Sequence, residues 1–252
     1  MRPGARRRRG SDVTEPVTLR RATRDDVMSS AVEVAPTLLG AELRTVVIED
    51  GLPVEVRVRI TEVEAYHGQG TGAVADPGSH ARMGRTARNA TMWGEPGHLY
   101  VYLSHGIHSC VNVACGPEGQ GDGVLLRAGE IVSGVEAAAR RRRAVPPLGR
   151  TALRDLARGP GRLGQAAGLR HSLHDGLDAI TGEEQNGARA ELWLGSPMAD
   201  VAQGPRVGVA GIAGTDAFPW RFWIPGDPTV SAFRWGRGAA DASNRANGGF
   251  SA

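Results

Sequence analysis

The feature that most constrains this chain is a run of alternating residues, from Val54 to Tyr66, in which polar side chains separate apolar ones. Side chains of a β-strand point to opposite faces in turn, so the run predicts a strand with one buried face. Strict alternation places the following residues on the same side: Val56, Val58, Ile60, Glu62, Glu64 and Tyr66. The predicted apolar face therefore ends in two carboxylates and a phenol.

The carboxylates at the end of this strand have two interpretations. A carboxylate at the margin of an apolar face is partly desolvated, which is the condition that suits a general base. Alternatively, the strand leaves the sheet at this point and its glutamates are solvated. The strand alone is compatible with both.

The other predicted elements come in runs instead of a regular β-α-β order. Helices are predicted at residues 32–39, 132–143 and 158–167, and strands at 124–128, 190–194 and 206–209. The segment from His98 to Cys115 is predicted to form two strands joined by a turn at His105 and Gly106. This order predicts an α+β fold, a single domain with a curved, mostly antiparallel sheet or open barrel, a projecting β-hairpin and peripheral helices.

The two ends of the chain differ in composition from its middle. Residues 1–25 are Arg-rich and without periodicity, which predicts a disordered basic arm, and residues 235–252 are small and polar, which predicts a flexible tail. One domain is expected at residues 26–234.

No run approaches the roughly 18 apolar residues that a membrane helix needs, and the basic start is not followed by an apolar segment. A cytoplasmic protein without a membrane partner is therefore expected.

The chain contains no lysine, so all 30 of its basic residues are arginine. Without a side-chain amine it forms no lysine Schiff base, which excludes pyridoxal phosphate enzymes, lysine aldolases and lysine-dependent β-lyases. A Walker phosphate loop is excluded as well. The two cysteines, Cys110 and Cys115, make neither a disulfide scaffold nor a zinc pattern. Neither a metal nor an organic cofactor is expected.

Arginines cluster in two internal segments. Residues 79–92 hold Arg82, Arg85 and Arg88 and no acid, and residues 140–162 hold eight arginines against Asp155 alone. Such clusters suit phosphate, which arginine binds through two hydrogen bonds at once. The alternative for each cluster is a solvated surface.

A long polar stretch and a hairpin follow the alternating strand. Residues 67–97 include His80 and are long for an idle loop, which favours a binding role over an ordinary surface loop. In the hairpin, a two-residue turn would place Tyr102 and Asn112 on opposite faces, whereas a three-residue loop or one bulge would bring them together. The turn residue His105 is expected at the tip, either as a solvated side chain or as a wedge that enters a base stack.

Two polar residues interrupt predicted strands, namely Asn112 and Arg127. A buried arginine needs a carboxylate partner, and Glu64 is a candidate. A structural ion pair and a functional one are both consistent with this pattern.

Six blocks of the sequence, taken in order, resemble the alkyladenine (3-methyladenine) DNA glycosylase family. They are ITEVEAYHG, SHARMGRTARNATMW, PGHLYVYLSHGIHSCVNV, GDGVLLRAGE, ARGPGRLGQAAGL and PRVGV, and the resemblance runs from about Ala35 to Phe233. It implies a monofunctional hydrolase that flips a damaged purine out of duplex DNA and cleaves its N-glycosidic bond. An abasic site would remain, as in base excision repair.

The resemblance also implies a role for individual residues. Glu64 would be the general base that activates water, and Arg127 and the carbonyl of Val207 would help to hold that water. Tyr66 and His80 would sandwich the flipped base and Tyr102 would close the pocket edge. Asn112 would disfavour the 2-amino group of normal guanine.

Further residues would approach the DNA itself: Arg85, Thr86, Arg88, Met92, His105 and Ile107. Most members of the family carry a tyrosine at the hairpin tip, where this sequence has His105. The smaller imidazole would hold the flipped state less well, or with help from Ile107 and His108. The absence of lysine agrees with a glycosylase that does not nick the strand.

Three functions remain in competition on the sequence. The first is the DNA glycosylase, a monomer acting on duplex DNA in the cytoplasm and associated with the nucleoid. The second is a non-catalytic module that binds damaged nucleic acid, against which the retained Glu64 and Arg127 argue. The third is a hydrolase of free nucleosides or RNA. The arginine clusters and the hairpin favour a polymer over a free nucleoside but do not distinguish DNA from RNA. The order of preference among 3-methyladenine, 7-methylguanine, hypoxanthine and etheno-adenine is not predicted.

Overall fold

The secondary structure is rich in strands, with a few short helices. The computed structural model describes residues 18–143 and 149–248. Its strands are β1 (Arg20–Arg21), β2 (Glu42–Glu49), β3 (Leu52–Tyr66), β4 (His98–Ser104), β5 (His108–Cys115), β6 (Asp122–Ser133), β7 (Ala157–Arg158), β8 (Leu177–Asp178), β9 (Ala188–Leu194), β10 (Ala202–Gly204) and β11 (Arg221–Trp223). Its α-helices are α1 (Ala31–Thr37), α2 (Val135–Arg141), α3 (Arg150–Asp155), α4 (Pro160–Ala167) and α5 (Ala239–Gly248). Single 3-10 turns lie at Asp25–Val27, Ala90–Trp93 and Gly211–Gly214.

The strands form one antiparallel sheet in the order β1-β9-β2-β3-β6-β5-β4-β8. β11 pairs with the end of β3 and with β10, and β7 pairs with β6. The sheet curls into a half-barrel, and side chains of α1, α2 and α4 share the main hydrophobic core with it. The predicted α+β fold, a single domain with a curved antiparallel sheet, is confirmed.

Two bulges, one in β3 and one in β6, change which residues of these strands face the core. Ile60 pairs with Gly129 and Glu62 with Ala128, so Thr61 is an extra residue in β3. The next register shift makes Arg127 the extra residue in β6. After the first bulge Val63 and Ala65 join Ile60 in the main core, which leaves the glutamates on the other face.

The prediction of strict alternation is therefore wrong beyond Ile60. Glu62, Glu64 and Tyr66 do not continue the apolar face of Val56 and Val58. A bulge inserts one residue and reverses the alternation that follows it, and bulges occur often beside active sites. The carboxylates are nonetheless buried, so the strand does not leave the sheet with solvated glutamates.

The hairpin of β4 and β5 has a three-residue loop. Ser104 pairs with His108, which leaves His105, Gly106 and Ile107 in the loop. His105 and Gly106 have positive φ angles of 50° and 71°, which glycine adopts freely and histidine tolerates. The register pairs Tyr100 with Asn112, so Tyr102 and Asn112 share a face, as the three-residue alternative requires.

Several predicted elements differ from those observed. The strand predicted at 124–128 is much longer, as β6, and the helix predicted at 132–143 begins only at Val135, after Gly134 with a φ of 76°. The strand predicted at 206–209 is wrong, because Val207 and Gly208 form a turn. Strand β2 was not among the predicted elements, although it pairs along its whole length with β3.

The ends of the chain are partly described. Most of the predicted arm, residues 1–17, and residues 249–252 of the predicted tail lie outside the described residues. Residues 18–25 are described, with β1 paired to β9, and α5 falls within residues 235–252. No helix within 18–143 and 149–248 is long and apolar enough to cross a membrane.

Candidate functional site

A cavity of about 500 Å³ opens on the face of the sheet opposite the main core, where the bulge in β3 places Glu64. One row of paired residues crosses four strands at its floor: Glu64 with Leu125, Leu125 with Asn112, and Asn112 with Tyr100. Loop residues from 77–82, 104–105 and 207–210 complete the walls. The site is therefore assembled from long-range strand pairing and from three separate loops.

Glu64 is fully buried, and its carboxylate accepts two hydrogen bonds and forms one ion pair. The backbone N–H of Val207 donates to Oε1 at 2.6 Å, and the Tyr66 hydroxyl donates to Oε2 at 2.9 Å. Arg127 Nη1 lies 3.5 Å from Oε1, so the ion pair expected between these two side chains is present. Donors on both oxygens fix the direction in which the carboxylate faces the cavity.

Arg127 belongs to a buried network of two carboxylates and two guanidinium groups. Its Nε lies 3.2 Å from Glu62 Oε1, which also accepts a 2.6 Å hydrogen bond from Arg221 Nε. The second Glu62 oxygen accepts the backbone N–H of Ser231 at 2.7 Å. Burial by itself lowers the pKa of Arg127, but the charges of Glu64 and Glu62 outweigh it and the pKa is raised. Arg127 thus stays cationic beside the cavity.

Aromatic side chains line the cavity on several sides. His80 packs edge-on against Tyr102, with ring centroids 4.6 Å apart, and Tyr102 stacks on Tyr100 at 5.5 Å. Desolvation and the charges of Arg88 and Arg82 lower the pKa of His80, so its ring is neutral at pH 7. Tyr66 lines the same cavity. All three predicted aromatic residues of the base pocket therefore meet in one place.

Asn112 and Met92 lie at the bottom of the cavity and are almost fully buried. The Asn112 amide donates to the Tyr100 carbonyl at 3.2 Å. Met92 packs with Ala81 and Tyr100 in a small apolar cluster of its own. Met92, predicted to approach DNA, is thus a buried residue that lines the cavity.

Sequence reasoning missed a buried ion pair behind Tyr66. The Arg206 guanidinium is fully buried, bonds both Asp76 oxygens at 2.7 and 2.8 Å, and also donates to the Ala65 carbonyl at 3.0 Å. Its carbon lies 4.5 Å from the centre of the Tyr66 ring. Asp76 precedes Pro77 and Gly78, and Arg206 precedes Val207, so this pair ties three walls of the cavity together. No local sequence pattern predicts this ion pair, because Asp76 and Arg206 are 130 positions apart.

The remaining predicted residues are exposed. Arg85, Thr86 and Arg88 lie on the loop before Met92, and His105 and Ile107 lie at the hairpin tip. Arg88 donates to the Leu103 carbonyl at 3.2 Å, which joins that loop to the hairpin. Ile107 is 72% exposed, and His105 lines the cavity mouth. One apolar side chain thus projects beside the opening.

A second cavity of about 450 Å³ adjoins the first and shares Ser104, Cys110 and Pro160 with it. Three arginines line it: Arg142, Arg158 and Arg162. Burial and the charge of Arg162 lower the pKa of Arg142, whose Nε is buried without a hydrogen-bond partner among the described residues. Arg158 pairs with Asp155 at 3.5 Å, whereas Arg142 and Arg162 have no acidic partner among the described residues. Positive charge of the latter kind suits an anion.

The arrangement can bind a flat, polar molecule and place a fixed carboxylate against it. The cavity has the size usual for small-molecule sites, and both aromatic and polar side chains line it. No group of three or more His, Cys, Asp or Glu within residues 18–143 and 149–248 could hold a metal ion. Glu64 is the carboxylate among the residues that line the first cavity.

Comparison with known proteins gives one family. The family model described as methylpurine-DNA glycosylase matches residues 25–228. A protein of Leifsonia xyli subsp. xyli named "Putative 3-methyladenine DNA glycosylase" is 49% identical over 218 residues, which cover 86% of this chain and 95% of that protein. Proteins of the same name from Streptomyces avermitilis and Nocardia farcinica are each 48% identical, covering 84% and 79% of this chain and 91% and 85% of their own lengths.

Proposed function

Because the chain belongs to the methylpurine-DNA glycosylase family, whose members hydrolyse N-glycosidic bonds, we propose that it removes alkylated or deaminated purines from duplex DNA. The reaction leaves an abasic site and begins base excision repair. The observation that carries the proposal is the buried Glu64 carboxylate, held by two hydrogen bonds and by the charge of Arg127 in the wall of an aromatic cavity.

Glu64 is the proposed general base. A water molecule beside the carboxylate gives its proton to Glu64 while its oxygen bonds to C1′ of the sugar. The bond between C1′ and the purine nitrogen breaks, and its electron pair leaves with the base. Positive charge develops on the sugar in this step, and a nearby carboxylate stabilises it.

Arg127 and the Val207 backbone position this carboxylate. The Val207 N–H and Arg127 both contact Oε1, and Tyr66 contacts Oε2. The Val207 carbonyl, which is proposed to contact the water, is a different group of the same residue. Fixed donors of this kind need no rearrangement during the reaction.

The aromatic walls are proposed to recognise the flipped base. Alkylation at N3 or N7 makes a purine cationic, and a cation is attracted to the face of an electron-rich ring. The ring of His80 is neutral at pH 7 and does not repel such a base. Asn112, whose amide is held by its bond to the Tyr100 carbonyl, is proposed to exclude the 2-amino group of guanine.

The surroundings of the cavity are proposed to hold the duplex. His105 and Ile107 at the hairpin tip would fill the gap that the flipped base leaves, and the loop with Arg85, Thr86 and Arg88 would approach the backbone. The arginines of the second cavity would take a phosphate. The enzyme is proposed to act as a monomer in the cytoplasm, associated with the nucleoid, and to release the base without nicking the strand.

The test is base release from duplex oligonucleotides that carry one hypoxanthine or etheno-adenine, and from methylated DNA, followed by alkali to reveal abasic sites. Wild type should release a base without strand cleavage until alkali is added. Glu64→Gln should lower the single-turnover rate at least about a hundredfold, because it removes the general base. Glu55→Gln, at the exposed end of the same strand, is the matched control and should behave as wild type.

Two outcomes would contradict the proposal in different ways. Binding of damaged duplex without release from any of the three substrates would favour the non-catalytic damage reader. Release that Glu64→Gln leaves intact would move the general base to another residue. Circular dichroism of both variants checks that each is folded.

A further inference from the structure

We propose that residues 233–237, with the sequence FRWGR, form an accessory surface for the DNA backbone beside the candidate base pocket. This inference rests on the proposed function but concerns a part of the chain outside the family match, which ends at residue 228. The segment combines two aromatic and two basic side chains, and no acidic residue lies between Asp227 and Asp241.

Backbone contacts fix the segment against the loop that lines the cavity. The Gly208 N–H donates to the Arg234 carbonyl at 2.8 Å, and the Gly211 N–H donates to the Arg237 carbonyl at 3.0 Å. Between these bonds, a Cβ on Gly236 would lie only 2.0 Å from the Val209 carbonyl oxygen, so only glycine permits this close approach. Residues 207–210 line the cavity, which places the segment directly next to its rim.

Helix α5 holds the far end of the segment in place. Its first residue, Ala239, is fully buried and donates its N–H to the Gly236 carbonyl at 3.1 Å. Ala239 also packs toward Gly214 in the 3-10 turn after the rim loop. The segment is thus anchored at both ends, and its side chains are presented from a fixed backbone.

The side chains of the segment are exposed. Phe233 and Trp235 are 37% and 44% exposed and contact each other edge to face, with ring centroids 4.8 Å apart. Arg234 and Arg237 are also exposed, and neither makes a side-chain hydrogen bond or ion pair with any residue in the described ranges. An apolar patch with unpaired positive charge next to a binding cleft is typical of an interaction site.

The occupant that fits this surface is the sugar-phosphate backbone that flanks the flipped nucleotide. A guanidinium group binds phosphate through two hydrogen bonds, and an indole ring covers the apolar face of a deoxyribose. The surface is continuous with the cavity that would receive the base, so duplex DNA seated at the cavity reaches it. A second copy of this chain is the competing occupant, and it is an outcome of the test.

The experiment compares wild type with Arg234→Ala/Arg237→Ala and with Trp235→Ala, using a fluorescent 25-base-pair duplex with and without one etheno-adenine. Each phosphate contact adds about 0.9 to the slope of log affinity against log salt. The double variant should lose up to about 2 from that slope and bind roughly tenfold more weakly at low salt. Trp235→Ala should weaken binding without changing the slope, and Trp235→Phe should restore part of the affinity.

Arg189→Ala is the matched control, since Arg189 is an exposed arginine on β9. It should keep the wild-type affinity and slope. The duplex should also be shortened from each side of the lesion in turn. Shortening on the side that reaches the segment should abolish the difference in affinity between wild type and the variants, and shortening on the other side should leave it, because the segment lies on one side of the cavity.

The proposal is overturned if the double variant and Trp235→Ala keep the wild-type affinity and salt slope. It is also overturned if Trp235→Ala converts a dimer to a monomer in sedimentation, since the patch would then bind a second copy. Failure of the glycosylase function is a different result: wild type would release no base, while the binding comparison on undamaged duplex would still test this surface.

Discussion

Tyr66 links the chemistry of the site to its recognition of the base. Its hydroxyl donates to Glu64, its ring lines the cavity, and the other side of the ring is near the Arg206 guanidinium. Burial and the charge of Glu64 raise the pKa of Tyr66 well above its usual range. The hydroxyl therefore remains a donor at neutral and mildly alkaline pH.

The two roles of Tyr66 can be separated by substitution. Tyr66→Phe keeps the ring but removes a hydrogen bond to a charged group, so we expect the single-turnover rate to fall by about tenfold to a hundredfold. Damaged-duplex affinity should change little. Tyr66→Ala removes the ring as well and should weaken that affinity in addition. Equal losses of affinity in the two variants would show that the ring does not stack on the base.

The residues of the site differ in how far the sequence predicts them. Arg127 stands out because it is charged within an apolar strand, whereas Glu64 is one of several charges on an alternating strand and its role comes from the six sequence blocks. Asp76 and Arg206 do not, because a fully buried ion pair between remote segments leaves no periodic pattern in either one. Glu62 lies on the predicted strand, yet its function as the shared acceptor of Arg127 and Arg221 follows only from β11, which brings Arg221 beside it.

At the level of elements, local bulges decide which side chains of β3 and β6 face the core and which face the cavity. Alternation predicted β3 and its buried residues up to Ile60, and the six sequence blocks predicted which side chains would gather. The extra residues Thr61 and Arg127 then reverse which side chains of β3 and β6 face the core. Neither strand's sequence by itself shows this reversal. Register depends on the paired strand and on the turn, so the sequence left two alternatives open for the hairpin as well.

Asp122, at the start of β6, joins three elements through one carboxylate. It is fully buried and accepts hydrogen bonds from the backbone of Ala31 and Gly68, at 3.1 and 2.6 Å, and from the Thr71 hydroxyl and His67. Burial alone raises the pKa of Asp122, but these hydrogen bonds outweigh it and the pKa is lowered. The carboxylate therefore ties the start of α1 and the loop after β3 to the sheet.

This arrangement predicts a pH-dependent stability. We expect Asp122→Asn to lower the free energy of unfolding by about 2 to 3 kcal/mol near pH 7, because it weakens several hydrogen bonds to a buried charge. The folded-state pKa lies below the unfolded one, so the stabilisation is present above the usual Asp range and is lost as pH falls through the folded value.

Urea unfolding between pH 3 and 8 measures this effect. The difference between wild type and Asp122→Asn should be constant above about pH 6 and should shrink below about pH 4. Asp200→Asn, at an exposed loop position, is the control and should not change stability. A difference that stayed constant down to pH 3 would show that the charge of Asp122 contributes nothing.

At the level of the whole molecule, charge is concentrated around the two adjoining cavities. The hairpin and its neighbouring loop carry Arg85 and Arg88 on one side, and the second cavity carries Arg142 and Arg162 on another. Gly161 allows this second group to come close to the hairpin, since a Cβ there would lie 2.7 Å from that of His108. The fold thus collects positive charge from segments that the sequence shows only as separate clusters.

The second cavity should therefore bind phosphate and contribute to the salt dependence of DNA binding. Arg142 and Arg162 repel each other, and a phosphate between them would relieve that repulsion. We expect inorganic phosphate to raise the melting temperature of wild type but not of Arg142→Ala/Arg162→Ala, because only the folded wild type has the site. In duplex binding this double variant should lower the salt slope by about 1 to 2.

The arginines of the second cavity and those at 234 and 237 share no residue or contact, so their effects should add. A variant that combines the four substitutions should lose the sum of the two changes in slope, within the precision expected for independent sites. Arg189→Ala again serves as the control for loss of one surface charge. A combined variant no worse than either double variant would mean that the two surfaces compete for the same stretch of backbone, and that the duplex lies along only one of them at a time.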